Sequence, residues 1–108
     1  MTRYLISFPA DSMRVAPEDL AAVGDDASAV VDAARDAGVY VFAGGLDEAS
    51  PVLVSADGTL GEVTRPLDGG MTVIDVPIRD EAIAWAARIA AACRCPQEVR
   101  AFGDDPRA

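Results

Sequence analysis

From Arg3 to Phe8 the chain is a short β-rich run in which Tyr4, Ile6 and Phe8 share one face at a spacing of two, and Pro9 stops it. A first strand is predicted there. After the loop-like stretch PADSMRVAP the period lengthens. Leu20, Val23, Ala27, Val30, Val31 and Ala34 recur at three- and four-residue spacing, while Asp25, Asp26, Asp32, Arg35 and Asp36 fall largely elsewhere. That is an amphipathic helix, opened by Pro17, Glu18 and Asp19 and ended at Gly38. Gly24 inside it costs about 1 kcal/mol relative to alanine, so the first turn is expected to be separate or frayed.

Val39 to Leu46 follows without a linker and is dense in β-branched and aromatic residues, as expected of a strand covered on both faces. VLVS and LGEVT flank Asp57-Gly58, a pair suited to the positive φ angles of a hairpin turn. MTVIDV is a further strand, ended by Pro77. Asp80 and Glu81 start a second helix with Ala82, Trp85, Ala86, Ile89 and Cys93 on one stripe, closed by Pro96, and Glu98 to Phe102 form a last strand. Residues 103–108 read as a loose polar tail.

This order predicts an α+β fold: a ferredoxin-like βαββαβ arrangement with an extra β-hairpin, both helices lying on one face of an antiparallel sheet. The strands carry few charges on either parity. The uncovered face is therefore expected to be hydrophobic and to bury itself against a second copy, as a homodimer.

Several stretches in this order resemble the YciI-like proteins, and within them the DGPF-motif (YCII-related) branch of the dimeric α+β barrel superfamily. RYLISF is similar to the family's opening strand, AGVYVFAGGL to its second, and ADGTLGEVTRPLDGGMTVIDV to the motif-bearing hairpin and the Gly-Gly strand after it. DEAIAWAARI and EVRAF resemble the last helix and strand. Where the family reads Asp-Gly-Pro-Phe, this chain has Thr64-Arg65-Pro66-Leu67, and the acidic, lysine-containing stretch that follows is cut down to Asp68. The resemblance implies a paired-sheet dimer with a cleft between sheet and helices, an activity mostly unassigned, and an association with sigma-factor genes. It also implies a histidine and aspartate pair in some members.

That pair has no counterpart, because the chain contains no histidine. The commonest general base at neutral pH and any imidazole-based triad are removed with it. At 108 residues the chain fits one domain, 1–108, with a core made mostly of Ala and Val. Its formal charge of −9 repels phosphate backbones and anionic membranes, so neither nucleic acid nor membrane is an expected partner. The absence of an apolar leader or long apolar run predicts a cytoplasmic protein. Cys93 and Cys95 stand too close to close a useful loop and lack the partners of a zinc site, and AGGL lacks dinucleotide-loop spacing. No cofactor or metal is expected.

The candidate chemistry is correspondingly sparse. Asp68 is the candidate acid or base, with Arg65 or Arg100 to hold a substrate anion; the competing reading is a rigid turn whose charges are solvated or paired. Arg100 and Asp75 are charged residues within strands, to be satisfied by a structural or dimer-crossing pair or, for Arg100, by an anion. Tyr4, Tyr40, Trp85 and Phe102 are either core or lining of a ligand cleft. Two functions follow: a dimeric domain that binds a small molecule or a protein partner without histidine-based catalysis, or a small isomerase- or lyase-type enzyme using Asp68 with Arg65 or Arg100.

Overall fold

The computed structural model describes every residue except Glu48, Arg65, Pro66 and 105–108. Its elements are β1 (Thr2–Phe8), α1 (Leu20–Asp36), β2 (Tyr40–Gly45), β3 (Val52–Val54), β4 (Leu60–Glu62), β5 (Gly70–Val76), α2 (Arg79–Cys93) and β6 (Glu98–Ala101). Two three-residue 3-10 turns, Ala10–Ser12 and Pro17–Asp19, lie between β1 and α1. The helix expected from Pro17 thus begins at Leu20. Proline sets the first turn, but Leu20 N–H still bonds the Pro17 carbonyl, so the turn closes tighter than an α-helix.

Four strands form one sheet in the order β2-β5-β1-β6, every neighbouring pair antiparallel, and β3 and β4 form a separate two-stranded sheet. This architecture is compatible with a ferredoxin-like fold. Strand β2 lies at the sheet edge, and Val41 and Phe42 on it are exposed, which corrects the expectation of a strand covered on both faces. A β-branched, aromatic run is equally suited to a half-covered edge.

Tyr4, Ile6, Ile74 and Val76 project from β1 and β5 to meet Ala82 and Ala86 of α2, with Val39, Trp85, Ile89 and Val99 around them. Alanines let the helix approach the sheet closely, so this core is thin. Helix α2 ends where Arg94 takes a left-handed conformation (φ 61°) and the Cys95 amide bonds back to the Ala90 carbonyl. That turn, rather than Pro96, closes it. Arg94 also reaches Asp26 of α1 at 2.9 Å, tying the helix pair together.

The opposite parity faces away from the helices. Leu5, Met71, Val73 and Phe42 occupy the middle of this open face through the register Leu5↔Val73, Ser7↔Met71 and Phe42↔Val73. Charges stand toward its margins: Arg3 opposite Asp75, and Glu98 and Arg100 on β6. No helix among the described residues is long and apolar enough to cross a membrane.

Candidate functional site

The apolar stripe of α1 does not close down on the sheet. Val23, Ala27, Val30 and Val31 instead form one wall of a cavity of about 290 Å³, with Trp85, Ile89 and Cys93 of α2 on the second side. Phe8, Tyr40, Thr72 and Ile74 supply its floor from three strands, and Met13 reaches in from the loop after β1. Small residues at Gly24, Ala27 and Ala34 keep the helical walls slim, so the stripe that signals a core helix here encloses space.

None of the described lining residues is charged at neutral pH. Burial, and secondarily the neighbouring Cys95, push the Cys93 thiol up from its ordinary value, so it remains neutral. Polar capacity is limited to a few groups. The Tyr40 hydroxyl accepts the Ala43 amide at 3.1 Å, leaving its proton free to donate. The register shift between Tyr40 and Phe42 creates this arrangement, since the irregularity turns the strand where Tyr40 meets the cavity. Arg35 lies over the outer side of the Tyr40 ring, 4.7 Å from its centre, and Arg88 lies 4.5 Å over Trp85, so both aromatics are braced by cations.

The sequence candidates divide among three places. Tyr40 and Trp85 line the cavity, whereas Tyr4 is buried in the core and Phe102 is exposed beside Arg3 and Asp75, on the far side of the sheet. Asp68 and Arg100 come together along a shallow depression of about 310 Å³ on the open face, with Leu5, Ser7 and Met71 at its base. Each already has a partner. Asp68 Oδ1 accepts the Ala10 amide at 3.0 Å, and Arg100 meets Glu98 at 2.5 Å. Arg65 lies outside the described residues.

The Asp68-Gly69-Gly70 stretch is a clasp. Asp68 holds the exit of β1, and the Gly69 carbonyl accepts the Leu46 amide at 2.7 Å beyond the end of β2. Gly69 has φ 87°, and a Cβ there would stand 1.9 Å from the Phe8 carbonyl oxygen. Three strand ends converge on residues that only glycine and a short acid suit.

Asp75 remains apart. Its Oδ1 is buried without a hydrogen-bond partner, although Arg3 is its cross-strand neighbour. It is the only such buried side-chain atom among the described residues. Cys93, Thr72 and Met13 were not legible as cavity residues, because their convergence depends on how far α1 stands from the sheet. No protein-family model matches the chain, and no curated protein matches it.

Proposed function

We propose that this chain is the subunit of a homodimeric small-molecule-binding domain, a YciI-like, DGPF-related member of the dimeric α+β barrels, with the cavity between helices and sheet as its binding site. The observation that carries the reading is the cavity: about 290 Å³, walled by aliphatic and aromatic side chains, with Tyr40, whose hydroxyl accepts the Ala43 amide, in its floor. Such a site favours an uncharged, largely apolar ligand with one or two hydrogen-bonding groups. An anion entering it would lose its water without meeting a cation. The strand order β6-β1-β5-β2 with both helices on one face supports the barrel-type half, and the apolar open face supports its pairing with a second copy.

The test uses two probes that share a ring system, N-phenyl-1-naphthylamine and its anionic relative 1-anilinonaphthalene-8-sulfonate. Saturable binding of the uncharged probe, about tenfold or more tighter than the sulfonate, is expected, and Ala27→Phe should abolish it by filling the cavity. Equal affinity for both probes, or binding unaffected by Ala27→Phe, would contradict the assignment.

A second reading draws on the open-face depression shared by Asp68 and Arg100: a small isomerase- or lyase-type enzyme with Asp68 as acid or base and Arg100 as anion holder. A partner subunit laid on this face would roof the depression and exclude water from it. Loss of a measured turnover in Asp68→Asn with dimer and fold intact would favour this enzyme. Retention of that turnover would leave the binding domain.

A further inference from the structure

Strands β2 and β5 are antiparallel neighbours, a pairing that a turn of about two to five residues can connect. This chain instead inserts residues 46 to 69, 24 in all, and folds the middle of them into the β3–β4 hairpin. Apart from the Leu46–Gly69 bond and the Asp68 clasp at its two ends, the insertion adds no strand to the main sheet. Among the described residues, β3 and β4 contact each other but neither makes a substantial contact with a further element. A lone two-stranded hairpin is marginal in water, so something outside its own subunit is needed to hold it.

Its side chains say what kind of surface that is. By the register Val52↔Glu62 and Val54↔Leu60, one face of the hairpin carries Val52, Val54 and Leu60, which are 59%, 62% and 69% exposed, with Glu62 beside Val52 at the end away from the turn. Leu53 lies on the other face, opposite Gly61. From Val52 to Glu62 the only charges are Asp57 at the turn and Glu62 at the end of β4, in a chain of which 25% is charged. A projection with an apolar middle and a carboxylate at each end is therefore suited to an apolar partner surface with polar margins.

The exposed area is enough for a second copy of this chain. A folded monomer of 11.2 kDa is expected to expose about 5,700 Å², whereas this chain exposes 7546 Å². The surplus, about 1,850 Å², is roughly twice the share that one subunit gives to a standard interface of about 800 Å² per partner. The open sheet face alone would make a standard interface, and the remainder leaves room for the hairpin. We infer that the β3–β4 hairpin is an intersubunit arm that lays Val52, Val54 and Leu60 against a second copy of this chain, adding to the contact between the open sheet faces. The inference rests on the homodimer proposed above.

Sedimentation of the full chain over a concentration series tests it. The double variant Val54→Asp/Leu60→Asp is expected to weaken the dimer by about tenfold or more, because each new carboxylate would be carried into the interface. Leu53→Asp adds a charge to the opposite face of the same strand and should change the dimer constant by less than about threefold, about 0.7 kcal/mol at RT of 0.59 kcal/mol. A dimer unchanged by the double variant would overturn the arm while leaving the dimer in place, the hairpin then belonging to a different partner. Equal weakening by Leu53→Asp would also overturn it, as an effect of charge alone. A monomeric wild-type chain would remove the dimer and the arm together.

Hydrogen exchange gives a second readout that needs no arm variant to fold. The amides of Val52–Val54 and Leu60–Glu62 should be protected at concentrations where the chain is dimeric and lose that protection on dilution to monomer. Equal exchange in both states would count against the arm.

Discussion

Gly69 has almost no latitude. With φ 87° and the Phe8 carbonyl 1.9 Å from where a Cβ would be, Gly69→Ala is expected to destabilise the fold by about 3 kcal/mol or more, measured by urea unfolding. Asp68 next to it is a milder case. Its bond to the Ala10 amide is exposed, so Asp68→Ala should cost about 1 kcal/mol, and Asp68→Asn, which keeps the acceptor, less. The sequence made turn chemistry visible in Asp-Gly-Gly, but not the role of that turn, because Ala10 lies 58 residues away along the chain. Cys93 and Cys95 extend the residue-scale account to pH. Burial is the first cause of the raised value of each thiol, so the folded state favours the neutral form. The stabilisation is fully present below the ordinary value of 9.0 and is lost as pH rises through the raised folded values. Thermal unfolding should therefore move to lower temperature above pH 9.0, and Cys93→Ala/Cys95→Ala should flatten that decline.

Along the elements, periodicity carried most of the information. The three- and four-residue spacing of Val23, Ala27, Val30 and Ala34 located α1, and the alternation of Tyr4 and Ile6 located β1 with its buried face. Neither pattern states what lies opposite. An α1 stripe lining a cavity and one sealing a core have the same spacing, and β2 has the composition of a central strand while standing at an edge. Helix ends were legible only where a local residue forces them. Pro17 marked a 3-10 turn just ahead of α1, which begins at Leu20, whereas the left-handed Arg94 is an exception that sequence composition does not announce. Gly24 offers an element-scale test. It lies within α1, and an added Cβ would meet nothing within 4 Å, so Gly24→Ala should raise stability by about 0.8–1 kcal/mol in chemical denaturation.

At the scale of the molecule, the chain measures 44 × 43 × 18 Å, a slab one helix layer and one sheet thick. Its radius of gyration, 15.6 Å, exceeds the roughly 13 Å of a compact domain of this length. A slab with an apolar sheet on one side and a hairpin beyond it has the shape that the proposed homodimer requires of one subunit. Asp75 is a separate feature of that face, since its Oδ1 is buried without a hydrogen-bond partner among the described residues although Arg3 is its cross-strand neighbour. Val73→Asp at the middle of the face should dissociate the pair outright while leaving the helical content of each subunit unchanged, read by circular dichroism. The sequence pointed to this face through strand parity, but not to the buried carboxylate within it. The most direct measurement is the mass of the wild-type chain in solution at micromolar concentration. Twice 11.2 kDa is the expected result, and a single 11.2 kDa species would contradict the account.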